Sequence, residues 1–195
     1  MTNTKFILKL AAILFAIVFV CTFVLVLCNN ITAPIIAKNN AKAEEEAKIA
    51  VLPEAESFEE LKDFTHVGVT SAFKGKDKNG EFAGYCFKIS TKENESKAFG
   101  GDIQMIVGID KSLNVSGVKI ITMAETPGLG AKASEASFTD QYTGKSGEIA
   151  VTKSGNASET EVNAISGATI TSKAVTEGVN NALNAAKTLE GKEAK

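Results

Sequence analysis

The sequence predicts an α+β protein: a single N-terminal transmembrane helix, then a domain in which helices pack on an antiparallel sheet. Three features carry that reading. An uncharged apolar run fills residues 10–28, strand-like stretches separated by turn signals occupy residues 66–123, and an apolar stripe at helical spacing runs from Thr171 towards the C-terminus. Hydrophobic residues make up 44% of the 195, and a large share of them sits in the first thirty positions. The remainder reads as an ordinary polar domain of roughly 140 residues, large enough to bury a core.

Residues 6–28 are almost wholly apolar. Nineteen helical residues at about 1.5 Å each span roughly 28 Å, close to the hydrocarbon thickness of a bilayer. A cleaved signal peptide is the competing reading, but the run exceeds a usual signal core and the small-x-small cleavage pattern is poor at residues 29–33. A lipoprotein signal at Cys28 is weak because Leu27 stands where a small residue belongs. Lys5 and Lys9 precede the span; the first basic residue after it is Lys38, with Glu44, Glu45 and Glu46 soon following. The positive-inside rule then puts the N-terminus in the cytoplasm and the domain outside. Residues 37–50 are rich in Ala, Glu and Lys, with Glu44 and Lys48 spaced as an i,i+4 pair, and predict a short solvated stalk helix ended by Pro53. The chain thus divides into an anchor over 1–29, a stalk over 30–56, a domain over 57–190 and a frayed tail over 191–195.

Within the domain, residues 66–73 read as a strand, and the turn at residues 76–80 carries Asn79-Gly80, a strong hairpin signal, before a return strand over 82–90. Residues 103–109 and 115–123 form a second expected hairpin, joined by 110–114. A helix is expected over 133–142 and a short strand over 162–165. Val175, Val179, Ala182, Ala186 and Leu189 recur at helical spacing and predict a last helix with one apolar face. Three Asn-x-Ser sequons, at Asn94, Asn114 and Asn156, lie in hydrophilic turns where such triplets arise by chance.

Composition narrows the function. A net charge of −2 and a pI near 5.6 lack the basic footprint of a nucleic-acid binder, and with no Trp and two Tyr there is little for bases to stack on. Of three cysteines, Cys21 and Cys28 lie in the apolar run and Cys86 stands alone, so the domain has no disulfide partner for it. There is no C-x-x-C pair, and His66 is the single histidine, which argues against a metal site or a haem. Electron chemistry on this chain would need an organic cofactor.

The most informative stretch runs from Asn163 to Lys173. A strand ends at Ile165, Gly167 permits a tight turn, Ala168 leaves little bulk, and hydroxyls cluster at Ser166, Thr169, Thr171 and Ser172 where a helix begins. A helix start offers free N–H groups and partial positive charge, which suits a phosphate, and Lys173 in the first turn adds a counter-charge. Ser and Thr are also the usual helix-capping residues, and on the residues alone this capping-and-turn reading is the stronger.

Ser166-Gly167-Ala168-Thr169 followed by Ile-Thr-Ser resembles the flavinylation motif of FMN-binding domains in the Rnf and Nqr electron-transport complexes. Two further segments resemble the same family in the same order. Phe99-Gly100-Gly101 is similar to its aromatic-Gly-Gly entry to a strand, and Glu125-Thr126-Pro127-Gly128-Leu129-Gly130 to its Glu-Thr-Pro-Gly-Leu-Gly loop. Each has a plain reading as a turn; three in order behind an apolar span do not. The resemblance covers nearly the whole chain and is nearest to the G component of the Rnf complex, since the Nqr counterpart is typically longer. One departure is Asn163, where the family usually carries Asp three residues before the motif's Ser.

The resemblance implies FMN joined through its phosphate to Thr169 by a flavin transferase. It also implies a role relaying electrons between ferredoxin and NAD+ in a complex coupled to Na+ or H+ movement, beside other membrane and peripheral subunits. It places Gly128 and Gly130 where backbone can approach the isoalloxazine ring, Leu129 against its face, and Glu125 and Thr126 in support. No residue is expected to act catalytically on a substrate. The rival readings are a free-standing anchored FMN domain serving another reductase or extracellular electron export, and an anchored binding domain without cofactor.

Overall fold

The structure, a computed structural model, describes residues 4–62 and 64–193. It has two compact units, the first through Lys42 and the second from Ala43. The first is helical: helix α1 runs Thr4–Val51, so the apolar run and the expected stalk are one helix, long and apolar enough to cross a membrane.

In the second unit five strands form an antiparallel meander in the order β1 (Ser57–Glu60), β2 (Val69–Lys76), β3 (Phe82–Ser90), β4 (Gln104–Asp110), β5 (Val115–Thr122). Both expected hairpins are present. Their turns, 77–81 and 110–114 with Asp110 the last residue of β4, share one device. Asp77 Oδ1 accepts from the N–H of Asn79 and Glu81 at 2.8 and 2.9 Å, and Asp110 Oδ1 accepts from Ser112 and Asn114 at the same distances. The fourth position is left-handed in each, Gly80 in one (φ 79°) and Leu113 in the other (φ 61°).

Several expectations differ from the structure. The strand expected from His66 begins at Val69, because Gly68 turns the chain at positive φ and leaves His66 a single bridge. The helix expected over 133–142 is broken into 3-10 turns at Gly130–Ser134 and Asp140–Tyr142 around a single α-turn, α2 (Ala136–Thr139). Glu135 is extended there, and the Ser134 and Thr139 hydroxyls donate to backbone carbonyls, a local competition that shortens helices. The short strand near Ile165 is β7 (Glu161–Asn163), paired in parallel with β6 (Ala150–Thr152). Helix α3 runs Thr169–Glu193, into the segment expected to fray; residues 194 and 195 lie outside the described part.

The sheet buries both faces. On one, Tyr85, Phe87, Ile89, Met105, Val107 and Ile109 share a core with Val175, Val179, Ala182, Leu183 and Ala186 of α3. Each fully buried Val or Leu contributes roughly 1.5–3 kcal/mol, so the apolar stripe read from the sequence fixes α3 on the sheet. On the other face lie Ala47, Val51, Leu52 and Ala55, packed with Phe73, Ala83, Cys86 and Ile106. The last turns of α1 are therefore core, where a solvated spacer was expected. The Glu44–Lys48 pair does not form. Lys88 donates to Glu44 at 2.5 Å, while Lys48 donates to Glu45 at 2.6 Å and lies 4.3 Å from the Phe73 ring centroid.

Glycine makes this second packing possible. A Cβ on Gly108 would lie 2.4 Å from Val51 O, one on Gly75 2.6 Å from Leu52 Cδ2, and one on Gly117 3.0 Å from Val51 Cα. The helix end thus rests almost on the backbone of the sheet, and Ser116 Oγ donates to Val51 O at 2.5 Å. Gly108→Ala should lower stability by about 1–3 kcal/mol, as overpacking against backbone does. Gly191→Ala, a helical position with open space around it, should be neutral or stabilise by up to about 0.5 kcal/mol. Thermal unfolding of the full chain in detergent distinguishes the two.

Candidate functional site

Four chain segments line one cleft of ≈ 650 Å³, the size of a small-molecule site, and three of them carry the motifs read in the sequence. Phe99 comes from the loop before β4. Glu125, Thr126, Leu129 and Gly130 come from the loop after β5. The turn between β7 and α3, with the first residues of the helix, supplies Ser166, Gly167, Ala168, Thr169 and Thr171. The three motifs singled out in the sequence are thus neighbours in space.

The helix start is arranged around its free groups. Ala168 N donates to Ile165 O at 2.9 Å, closing the turn, and Gly167 has φ 76°, open to glycine and strained for other residues. The first α3 bond runs from Ser172 N to Ala168 O at 3.0 Å. The N–H groups of Thr169, Ile170 and Thr171 precede it and have no intrahelical acceptor. They carry the positive end of the helix dipole, the arrangement that binds phosphate.

The four hydroxyls divide. Ser172 is buried and fully committed: its Oγ accepts from Ile165 N and donates to Ala168 O, both at 3.0 Å. It ties the turn to the helix, so the structural reading of the cluster holds for this residue. Ser166, Thr169 and Thr171 line the cleft and make no side-chain hydrogen bond to any described residue.

Glu125 joins the segments from beneath. Its buried Oε1 accepts from Gly100 N at 3.0 Å. A Cβ on Gly130 would meet Glu125 Oε2 at 2.5 Å and Thr171 Oγ1 at 2.8 Å, and one on Gly100 would meet Ala124 O at 2.1 Å. Gly130 therefore gives space to Glu125 and Thr171. Leu129 reaches across: its Cδ2 would be 3.1 Å from a Cβ on Gly167.

Three residues expected at the site lie outside the lining. Gly128 is exposed in its turn with φ 77°, Ser172 is packed behind the turn, and Lys173 is exposed. The cation that does line the cleft is Lys153, from the loop after β6. Sequence reasoning missed it, since that loop carries no pattern and β6 has only three residues. Asn163 is in β7, donates its N–H to Gln141 Oε1 at 2.7 Å, and buries Oδ1 without a partner among the described residues. Cys86 takes no part: it lies in the opposite core, where burial pushes its thiol up to about 12 despite nearby Lys48. Asn94 is buried, with Nδ2 donating to Ala174 O at 3.1 Å, so in the folded domain its sequon is closed to glycosylation.

A free helix start beside an apolar-rimmed cleft, on a meander sheet backed by a long helix, is an arrangement suited to a ligand with a phosphate and an apolar part. In agreement, the FMN-binding domain family matches residues 99–184. The G component of the Na(+)-translocating ferredoxin:NAD(+) oxidoreductase complex of Acetobacterium woodii is 39% identical over 192 positions, covering 90% of this chain and 89% of that one. Its counterpart in the ion-translocating oxidoreductase complex of Methanosarcina acetivorans is 29% identical, covering 98% and 100%. The crystal structure of NqrC from Shewanella oneidensis shares the fold, with a TM-score of 0.50 at 18% identity over 74% of each chain. The chain belongs to the family of Rnf-type ion-translocating oxidoreductase G components.

The loop bearing Phe99 is clamped to α3 by a carboxylate. Glu177 accepts from Glu95 N at 2.6 Å and Ser96 N at 2.8 Å. Burial raises its pKa, but those N–H bonds and the charge of Lys97 outweigh it, and the net shift is downward. A depressed folded pKa means the clamp is complete at neutral pH and is lost as pH falls through that value. Amide exchange at Glu95 and Ser96 should therefore be slow at neutral pH and gain extra opening below the ordinary carboxylate range. Glu177→Gln should remove that pH step.

Proposed function

We propose that this chain is the membrane-anchored electron carrier of an Rnf-type ion-translocating oxidoreductase, with one FMN held as a phosphoester on Thr169. Its relatives' names supply the setting, a ferredoxin:NAD+ oxidoreductase complex with other subunits. The single observation that carries the attachment is chemical: Thr169 presents a hydroxyl with no hydrogen bond to the described residues, in the cleft, at the first position of α3. An ester phosphate there would sit against the three free N–H groups of the helix start, with Lys153 as the counter-charge on the cleft wall. When bound, FMN supplies reversible redox chemistry that no side chain here offers; the protein holds and orients it.

The carbon frame fits that group. Gly167 and Gly130 keep the floor of the cleft low, and Ser166 and Thr171 offer further hydroxyls to phosphate oxygens. A flavin transferase is the partner that would form the ester. The apolar helix α1 marks a membrane anchor, and the charges flanking it favour a domain on the extracytoplasmic side. There a covalent tether prevents loss of the cofactor by dilution. Glu125, Thr126, Gly128, Leu129 and Gly130 would shape the pocket around the ring, and Ser172 would hold the turn.

Chain produced with a flavin transferase should carry the mass of FMN less one water, with the visible absorbance of a flavin, mapped to the peptide containing Thr169. Thr169→Ala should lose both while changing stability by no more than about 0.5 kcal/mol, since its hydroxyl makes no hydrogen bond to the described residues. A bare Thr169 in natively produced material overturns the proposal.

A further inference from the structure

Outside α1, the large apolar side chains that stand exposed among the described residues are Val67, Phe99, Leu129 and Ile170. Three of these four line the cleft beside Thr169. Exposed apolar surface gathered in one place opposes the hydrophobic effect and marks a binding surface.

Phe99 is the most telling. Its side chain is 73% exposed, yet its loop is tied down on both sides. Before it, Glu95 and Ser96 donate to Glu177, Asn94 Nδ2 donates to Ala174 O at 3.1 Å, and Asn181 Nδ2 donates to Asn94 Oδ1 at 3.1 Å. After it, Gly100 N is held by Glu125, and a Cβ on Gly100 would strike Ala124 O. These hydrogen bonds and an obligatory glycine fix the backbone of a residue whose aromatic ring touches water.

The occupant follows from what shares the cleft. Ile170 is next to Thr169, and Leu129 Cδ2 overlies Gly167 in the same turn. A flat aromatic group tethered at Thr169 would meet these side chains within the span of its own linker. The geometry points to Phe99 as a positioning residue that holds the isoalloxazine ring against Leu129 and Ile170, so that the ring is docked on the domain and does not swing freely on its tether. This rests on FMN attachment at Thr169. Attachment and docking are separable, because the ester persists whether or not the ring is held.

The test uses full-length chain made with a flavin transferase and purified in detergent without partner proteins, as wild type, Phe99→Ala, Phe99→Tyr and Val67→Ala. Intact mass reports attachment; the decay of flavin fluorescence anisotropy and the visible circular dichroism of the flavin band report docking. In the wild type the ring should rotate with the protein and show induced dichroism. Phe99→Ala should keep the added mass but gain a fast rotational component and lose dichroism, with the docked-to-free ratio falling roughly 2- to 10-fold. Phe99→Tyr should behave as wild type, and Val67→Ala, an exposed apolar site elsewhere, should change nothing. Full attachment with an anisotropy decay unaltered by Phe99→Ala overturns this inference alone and leaves the apolar rim to a partner protein. A wild-type chain without the added mass overturns the attachment, and this inference with it.

Discussion

A buried carboxylate between two glycines organises the cleft. Glu125 can reach Gly100 N only because neither Gly100 nor Gly130 has a side chain to occupy the intervening space. Leaving such a donor and acceptor unpaired in a buried place costs about 1–3 kcal/mol, more for a charged group. That penalty keeps the loop before β4 and the loop after β5 together. Thr171 lies on the far side of Gly130, so the start of α3 closes on the same point. Three segments distant in sequence are thereby brought to one place by one side chain and the absence of two others.

The sheet beneath is held from both sides by different means. α3 lies on its face through ordinary side-chain burial, which tolerates conservative exchange. The end of α1 lies on the other face through backbone proximity, which does not, since at Gly108 and Gly117 a single methyl would press on the Val51 backbone. Lys48 shows how far this packing goes. It is 4% exposed and its charge is met by Glu45 and by the face of Phe73, a buried cation kept tolerable by an acid and an aromatic ring. The last turns of the membrane-type helix are thus part of the cofactor domain's own core.

Much of this was legible in the sequence, for reasons that differ by element. β3, β4 and β5 announced themselves through length and turn chemistry, and α3 through a five-residue stripe that the structure packs on the sheet. The three motifs were legible as local turns, and their resemblance to one family put them at one site. What escaped was contact at a distance. β1 has four residues at the sheet edge, and β6 has three. Neither is long enough to show a period. Glu44 pairs with Lys88 on a strand 44 residues away, which no helical spacing rule can foresee. Gly75, Gly108 and Gly117 lie inside strands without a local turn to explain them, and their common purpose appears only when Val51 and Leu52 are seen above them.

The same distinction explains why the four hydroxyls at the start of α3 are not alike. Composition around the turn treats Ser166, Thr169, Thr171 and Ser172 alike. Folding does not. Ser172 spends both its hydrogen-bonding functions on the backbone, and Thr171 is buried against the space that Gly130 leaves. Ser166 lies in the exposed turn, ahead of the helix. Thr169 combines partial exposure, an uncommitted oxygen and the first helical position, where a new negative charge meets unpaired N–H groups and the helix dipole together. Successive helical residues point about 100° apart around the axis. The turn at Gly167 sets where α3 begins, and where α3 begins decides which hydroxyls line the cleft and which are packed behind it.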